Sequence, residues 1–307
     1  MQVLRYVGHP FPMEWYRPRA SMVSGTHEVR ITPETAGWAY SGLMVFDLAR
    51  DHTITIEMAG IEGVLVPLSA QDFTATVGSE SFAMAGRAGV FAAVSDWLYV
   101  PVDATLTING ASGEVALCTA KATKPFPVAY TKAEDVSVEV RGSGMSTRQV
   151  TNIATPTSFT QAHKINVCEV LTPGGNWSSW PPHRHDGIGE CPYTNEEIYY
   201  FRMGKLNAAH GVEEGAGLFR VYTVDGSHDE TASVMDGDVY LVPQGYHGPT
   251  VAPPEYPMYF LNVLAGPDED RTMAFCDDPS HHWIRDSWET QTQDPRCPMT
   301  SAAGTPS

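Results

Sequence analysis

The sequence predicts an all-β protein built from two tandem β-barrel halves of the jelly-roll type. Three observations support this fold class: short runs rich in β-branched and aromatic residues, turn-forming residues between them, and a second set of runs that resembles the first. The 27 glycines and 23 prolines among 307 residues punctuate the whole chain. Many short strands separated by such residues are typical of sandwiches and barrels.

The strand-like runs come in two sets, from about residue 20 to 122 and from about residue 163 to 265. Each run is apolar or alternates apolar with polar residues, as a strand with a buried face requires. In the first set the clearest runs cover residues 42–48, 53–58, 63–68, 73–77 and 97–100. The two sets end alike, since residues 95–104 and 236–245 both contain an acidic residue, an apolar strand and Val-Pro before a turn. This repeat predicts a duplicated barrel with diverged halves.

The pattern divides the chain into four segments. We expect a first barrel over residues 1–130, a linker over residues 131–162, a second barrel over residues 163–290 and a tail over residues 291–307. Within the linker, residues 144–162 are a modest candidate for a helix or connector. The tail is small and polar, and chain ends of that kind are commonly disordered.

The chain is strongly acidic, with 36 Asp and Glu against 19 Lys and Arg and a formal charge of −17. An acidic surface repels phosphate backbones and anionic lipid head groups, so nucleic acid and membranes are poor partners. No apolar stretch approaches the ~20 residues that span a bilayer, and the N-terminus lacks the apolar segment of a secretory signal. A substrate that carries a carboxylate would need local cations to overcome the overall charge.

The cysteine pattern favours a reduced cytoplasmic setting. The odd number of cysteines and the absence of a CxxC pair argue against a disulfide framework or a zinc knuckle. We therefore expect inert thiols at all five positions, which are Cys118, Cys168, Cys191, Cys276 and Cys297.

Three segments of the second half place metal-ligating residue types at strand spacing. His183 and His185 alternate with Arg184, so they share one face of a strand. Glu197 and Tyr199 share a face on the next strand, and a third segment ends in a histidine just past a Pro-x-Gly turn. That histidine is His247. Three imidazoles and a carboxylate suit one divalent transition metal, Mn, Fe, Co, Ni or Zn, and leave positions open for a substrate.

These segments resemble the two sequence motifs of the cupin superfamily. The first combines His-x-His with a glutamate that a glycine follows after six residues; Glu197 and Gly204 fit this spacing, which selects Glu197 over Glu196 as the ligand. The second is Gly-x5-Pro-x-Gly and a histidine, which residues 237–247 fit. One departure is the long separation between the His-x-His pair and Glu197, which predicts a loop inserted at the mouth of the barrel.

A narrower resemblance covers about residues 25 to 285. The strings TPGGNWSSWPPHRHD, EEIYYFR and DGDVYLVPQGYH in the second half, with ITPETAGWAYSGL in the first, resemble the 5-deoxy-glucuronate isomerase family of myo-inositol catabolism. The resemblance implies a bicupin fold and metal ligands at His183, His185, Glu197 and His247. The first half has no His-x-His, so we expect its barrel to bind no metal.

The resemblance implies an aldose-ketose isomerase that converts 5-deoxy-D-glucuronate to 5-dehydro-2-deoxy-D-gluconate. Such a reaction transfers a proton across an enediolate that the metal stabilises. The candidates for the base are Glu196, Tyr199, Tyr246 and a water on the metal. The candidates for binding the substrate carboxylate are Arg220, Arg202 and, more weakly, Lys164.

Other functions remain open at this point. One is the 5-keto-4-deoxyuronate ketol-isomerase of pectin degradation, which would use the same kind of site on another uronate-type sugar acid. The others are a cupin oxygenase, which would consume oxygen, and a non-catalytic sugar-binding bicupin. The sequence does not decide the identity of the metal or whether the chain forms a homo-oligomer.

Overall fold

The prediction of an all-β chain with two barrel halves is confirmed. The structure, a computed structural model, describes residues 14–23, 25, 27–204 and 215–305. In this part of the chain, short strands form four antiparallel sheets, two in each half. The described α-helices have four residues each, far below the ~20 needed to cross a bilayer, and none of them is a membrane-spanning candidate.

The strands follow one another closely along the chain. Those of the first part are β1 (Tyr16–Arg17), β2 (His27–Ile31), β3 (Ser41–Asp47), β4 (Thr53–Glu57), β5 (Ile61–Pro67), β6 (Gln71–Val77), β7 (Glu80–Gly86), β8 (Trp97–Val100), β9 (Thr105–Asn109), β10 (Glu114–Lys121) and β11 (Ala129–Thr131). Those of the second part are β12 (Ser137–Arg141), β13 (Arg148–Ala154), β14 (Asn166–Thr172), β15 (Trp177–Ser178), β16 (His183–Arg184), β17 (Glu196–Met203), β18 (Gly217–Tyr222), β19 (Asp229–Val234), β20 (Val239–Val242), β21 (Tyr246–Val251), β22 (Met258–Ala265) and β23 (Cys276–Asp277).

Helices are short and peripheral. The α-helices are α1 (Arg19–Met22), α2 (Pro33–Ala36) and α3 (Ile284–Ser287), and Ala133–Asp135 and Trp288–Thr290 form 3-10 turns. The helix α2 begins at a capping box, in which the Thr32 hydroxyl accepts the Thr35 N–H and the Thr35 hydroxyl accepts the Thr32 N–H. It ends at Gly37, whose φ of 72° is the left-handed conformation that glycine tolerates.

The sheet orders reveal the duplication. The large sheet of the first half has the order β11-β8-β5-β10-β3-β2, and that of the second half has the order β1-β20-β17-β22-β14-β13-β12. The smaller sheets have the orders β4-β9-β6-β7 and β23-β16-β21-β18-β19, with β15 paired to β21. Strands β5 and β17 therefore hold equivalent positions, as do β10 and β22, and the Val-Pro strands β8 and β20.

Three apolar cores separate four sheet layers. One core fills each barrel, between its large and its small sheet, and contains residues such as Phe46 and Leu106 in the first half and Phe201 and Phe219 in the second. The third core lies between the two large sheets and includes Val64 and Leu261. The halves therefore pack back to back through their large sheets.

The segment boundaries differ from those expected. Residues 148–154 of the expected linker form β13, which pairs with β14 in the large sheet of the second half, and β12 adds the next strand. The alternation Gln-Val-Thr-Asn-Ile suits a strand more than the helix or connector considered above. At the other end of that sheet β1 pairs with β20, so Tyr16 and Arg17, expected in the first barrel, belong to the large sheet of the second.

The expectation of a disordered tail is wrong for residues 291–305. The side-chain oxygen of Gln149 accepts the backbone N–H groups of Met299 and Thr300, at 2.7 and 2.9 Å. Thr300 is buried, and Val94 of the first half donates its N–H to the carbonyl of Ser301. These partners are distant in the sequence, so local composition could not reveal them.

Buried carboxylates join the halves. Glu62 in β5 accepts the backbone N–H groups of His163, Lys164 and Ile165, which lead into β14. Glu196 in β17 accepts those of residues 39–41, which lead into β3. The two contacts are reciprocal, because each glutamate occupies the equivalent strand of its own half and binds the equivalent segment of the other half.

A buried ion pair adds to this contact. Arg87 follows the first-half strand β7 and pairs with Glu169 in β14, and both side chains are almost fully buried. Tyr259 donates its hydroxyl hydrogen to the same carboxylate at 2.7 Å. Because a buried charge is tolerated only when it is paired and hydrogen-bonded, this group fixes how the two large sheets face each other.

Candidate metal centre

Three strands of the second barrel bring the predicted ligands together. His183 in β16 is the direct cross-strand partner of His247 in β21, and β17 supplies Glu197. His185 follows β16, and its carbonyl accepts the N–H of Asn195, just before β17. The histidine pair and the glutamate come from opposite sheets of the barrel, so the site lies between its two layers.

The period of two in β17 determines which glutamate enters the site. Glu197, Tyr199 and Phe201 point into the second barrel, where Tyr199 and Phe201 belong to its core. Ile198 and Tyr200 point into the core between the halves. The predicted shared face of Glu197 and Tyr199 is therefore confirmed.

The ligand atoms of His185, Glu197 and His247 lie within 4.8 Å of one another, and all three side chains are buried. The Oε2 atom of Glu197 is 2.9 Å from Nε2 of His185 and 3.0 Å from Nε2 of His247. The second contact lacks hydrogen-bond geometry, so His247 Nε2 is a buried nitrogen without a hydrogen-bond partner among the described residues. An orphaned nitrogen beside a carboxylate fits a metal ion.

His183 lies beside this group and is not one of its three members. The centroid of its ring is 4.4 Å from that of His247 and 6.4 Å from that of His185. It is the more exposed histidine of the site.

All three histidines place Nδ1 next to a backbone carbonyl. The distance is 3.0 Å from His185 to Asn195, and 3.4 Å both from His183 to Pro181 and from His247 to Gly245. A carbonyl only accepts, so Nδ1 of each ring can bear a proton while Nε2 faces the site. Nε2 of His185 donates to the Glu197 carboxylate at 2.9 Å, and a bound metal ion would replace that proton. Metal-binding histidines typically have this second contact, which holds the ring in place.

The neighbouring side chains shift the pKa values of the candidate ligands. Burial opposes the charge of Glu197, but His247 and His185 more than compensate and hold its pKa well below the usual range. Burial, together with the neighbouring His247, lowers the pKa of His183 well below its ordinary value. Glu197 outweighs the effect of burial at His185 and raises the pKa of that imidazole. The site therefore presents a carboxylate at Glu197 and a neutral imidazole at His183, the forms that bind a metal.

A cavity of ≈ 260 Å³ opens onto this group. His183, His185, Glu197 and Tyr199 line one part of it, and Phe260, Met273 and Phe275 supply apolar walls. Tyr199 is 2% exposed, and its hydroxyl lies 3.3 Å from the Ser179 hydroxyl. Burial and the nearby Glu197 carboxylate raise the pKa of Tyr199 well above its ordinary value, so its phenol stays protonated.

The KduI/IolB family profile matches residues 15–284. The chain belongs to the KduI/IolB family. It is 40% identical over 263 residues to the 5-deoxy-glucuronate isomerase of Geobacillus kaustophilus. That alignment covers 84% of this chain and 91% of the relative. The chain is 37% identical over 279 residues to the enzyme of the same name from Bacillus subtilis strain 168, covering 87% and 97%.

Solved structures agree with this assignment. An IolB-like protein from Salmonella typhimurium superposes with a TM-score of 0.78 at 31% identity, over 88% of this chain and 99% of that chain. Oxalate decarboxylase from Bacillus subtilis superposes with a TM-score of 0.58 at 13% identity, over 88% and 80%. The second likeness concerns the fold alone.

Of the three side chains predicted as catalytic in this KduI/IolB member, the structure brings only Tyr199 to the cavity. Glu196 points away from Glu197 and binds the backbone of residues 39–41, because neighbouring residues of a strand face opposite sides. Tyr246 alternates in the same way with His247 and stacks on Tyr222, with ring centroids 5.4 Å apart.

The predicted substrate-binding cations lie elsewhere, each with partners of its own. Arg220 pairs with Asp229 on the surface, at 2.8 Å. Arg202 pairs with Glu114 and Asp236. Lys164 donates to the carbonyls of Pro267 and Asp268. Strand parity turns Arg202 and Arg220 away from the cavity. Lys164 precedes β14, and its ammonium group is held by the two loop carbonyls.

The sequence analysis missed three arginines. Arg141, Arg148 and Arg285 line the cavity. Arg141 and Arg148 lie in β12 and β13, the strands mistaken for a linker, and Arg285 lies in α3. The useful signal was the alternation in residues 148–154, which would have placed Arg148 at the start of a strand of the second barrel.

The inserted loop between His185 and β17 contains a disulfide-bonded cysteine. Cys191 and Cys276 form a disulfide, where the sequence analysis expected free thiols. The pair is 85 positions apart in the sequence, and the inserted loop brings Cys191 to β23, next to the ligand strand β16. Cys118, Cys168 and Cys297 are free.

Substitutions at two neighbouring residues of β17 test whether Glu197 binds the metal and Glu196 joins the two halves. We expect Glu197→Gln to weaken metal binding by at least about 100-fold, the upper end for loss of even an outer-shell partner, because a carboxylate ligand is lost. We expect Glu196→Gln to bind metal normally and to lower the free energy of unfolding by about 1–3 kcal/mol, since the amide cannot accept all three backbone N–H groups. Metal content after dialysis and urea unfolding measure the two effects; metal loss in Glu196→Gln would contradict the assignment.

Proposed function

We propose that this chain is a metal-dependent aldose-ketose isomerase that converts 5-deoxy-D-glucuronate to 5-dehydro-2-deoxy-D-gluconate in myo-inositol catabolism. The observation that supports it most is the buried group of His185, Glu197 and His247 at a cavity that arginines also line. Relatives that are 36–40% identical bear the name 5-deoxy-glucuronate isomerase. The reaction is proposed for the cytoplasm, with a small uronate-type sugar acid as substrate.

Four side chains would hold the metal: His183, His185, Glu197 and His247. The donor set of imidazoles and one carboxylate suits Mn, Fe, Co, Ni or Zn. When bound, a divalent ion acts as a Lewis acid that stabilises negative charge developing on substrate oxygens. The cavity of ≈ 260 Å³ is below the ~300–1,000 Å³ of drug-sized ligand sites, which favours a small substrate such as a six-carbon sugar acid.

The protein's own contribution to the proton transfer centres on Tyr199. Moving a carbonyl from C1 to C2 requires that a proton leave C2 and that a proton arrive at C1. Tyr199 lies in the cavity wall, holds its proton at the phenolic oxygen, and is close to His247, with ring centroids 5.9 Å apart. We propose that its hydroxyl donates a hydrogen bond to a substrate oxygen as that oxygen gains charge. Tyr199 and Ser179 would thereby orient the reacting end.

The apolar walls would protect the reaction from water. Phe260 is buried and belongs to the barrel core, and Phe275 packs against His183 with ring centroids 4.6 Å apart. A low-polarity wall strengthens the interaction between fixed donors and a charge that develops on the substrate.

The isomerase proposal predicts metal-dependent ketose formation. The purified protein, stripped of metal and reloaded with one metal at a time, is incubated with 5-deoxy-D-glucuronate in deuterium oxide while C1 and C2 are followed by NMR. We expect ketose only in metal-loaded samples, with deuterium at carbon because a proton is transferred. Parallel samples with 5-keto-4-deoxyuronate and an oxygen electrode test the two other enzyme classes; turnover of that substrate alone, or oxygen uptake, would replace the proposal.

A hydroxyl deletion tests the role of Tyr199. We expect Tyr199→Phe to lower kcat by roughly 100-fold, the lower range for loss of one hydrogen-bond donor to an oxygen that gains charge, while metal content stays at the wild-type level. Tyr246→Phe is the matched control, because its hydroxyl points away from the cavity, and its kcat should equal that of the wild type. Equal kcat values for the two variants would exclude Tyr199 from the chemistry.

A further inference from the structure

Arg148 is a buried cation without a carboxylate partner. Its side chain is 9% exposed, and its only hydrogen bond within the described ranges runs from Nη1 to the carbonyl of Ser146, at 3.0 Å. Its guanidinium has five N–H donors, so most of them remain available. Burial, with the nearby charges of Arg141 and Arg285, lowers the pKa of Arg148 to about 10, yet it remains charged at neutral pH.

Two further cations lie beside Arg148. Arg141 is its direct cross-strand partner in the antiparallel pair of β12 and β13, and like charges at such positions repel each other. Arg285 shares the ring of Trp288 with Arg148, since their guanidinium carbons lie 5.3 and 5.6 Å from its centroid. The three cations line the same cavity in a protein whose net charge is −17.

The neighbouring arginines already have carboxylate partners. Arg285 makes a two-pronged ion pair with Asp277, at 2.5 and 2.7 Å, and Arg141 pairs with Glu139 at 2.5 Å. Arg148 therefore stands out among the three. A buried charge that lacks a partner is costly, and an anion in the cavity would supply the missing partner.

We propose that Arg148 binds the carboxylate of the sugar-acid substrate through a two-pronged contact and so directs the aldehyde end toward His185, Glu197 and His247. The inference rests on the proposed function, because it takes the substrate to be a uronate. A planar guanidinium matches a carboxylate with two parallel N–H···O bonds. Arg141 and Arg285 add positive potential around this contact.

The placement explains how an acidic protein recognises an acidic substrate. The overall charge repels anions, whereas the local charge of the cavity attracts them. Binding at the far end also fixes the distance between the carboxylate and the reacting carbons. A substrate held at one end and coordinated at the other reacts from one orientation.

The test compares carboxylate recognition in four proteins: wild type, Arg148→Gln, Arg148→Lys and the surface control Arg220→Gln. Each metal-loaded protein is assayed with 5-deoxy-D-glucuronate and with its uncharged C6 amide. We expect the wild type and Arg220→Gln to prefer the carboxylate in kcat/KM by roughly 10- to 100-fold, the range for hydrogen bonds to a charged group. Arg148→Gln should lose most of this preference, and Arg148→Lys should keep part of it, because lysine retains the charge without the planar fork.

A binding measurement separates this inference from the proposed function. D-glucuronate and D-glucose are titrated calorimetrically into the same metal-loaded proteins. Tighter binding of D-glucuronate by the wild type, lost in Arg148→Gln, supports the carboxylate contact even if 5-deoxy-D-glucuronate is not isomerised. An unchanged carboxylate preference in Arg148→Gln, or a wild type that does not distinguish the two sugars, overturns the inference even if the isomerase is active. Urea unfolding checks that Arg148→Gln remains folded.

Discussion

The structure depends on two reciprocal contacts, in which a buried glutamate of each half accepts backbone N–H groups of the other half. Glu62 in β5 holds the chain at residues 163–165, and Glu196 in β17 holds it at residues 39–41. Each carboxylate is buried, and the backbone N–H groups supply the hydrogen bonds that a buried charge requires. These contacts fix the two large sheets back to back and fix the face that each residue of β5 and β17 presents.

Only the second barrel has the candidate metal ligands, and this difference begins at the residue that follows the buried glutamate in each strand. Glu197 follows Glu196 and points into the second barrel, whereas Gly63 follows Glu62 at the equivalent position of the first. A side chain at Gly63 would meet Met58 and Leu117, at 2.7 and 3.0 Å from its Cβ, so apolar groups fill that space. The same alternation thus supplies a packed interior in one half and a buried carboxylate beside two imidazoles in the other.

The sequence predicted what depends on local spacing and missed what depends on distant partners. Motif spacing predicted Glu197 rather than Glu196 as the ligand, and the structure places Glu197 in the barrel interior with His185 and His247. Strand parity, applied to Arg202 and Arg220, left their direction open, and the structure pairs both with nearby acids. The position of Arg148 depends on the pairing of β13 with β14, and the Cys191–Cys276 bond spans 85 positions. Such contacts leave little trace in local composition.

The proposed metal ligands and the proposed carboxylate-binding Arg148 line a single cavity. The most direct test is a crystal structure of the protein grown with Mn²⁺ and 5-dehydro-2-deoxy-D-gluconate, with anomalous scattering data to locate the metal. We predict one anomalous peak within bonding distance of the ligand atoms of His183, His185, Glu197 and His247, and the sugar carboxylate on Arg148. A metal bound elsewhere, or a carboxylate bound at Arg202 or Arg220, would contradict the account.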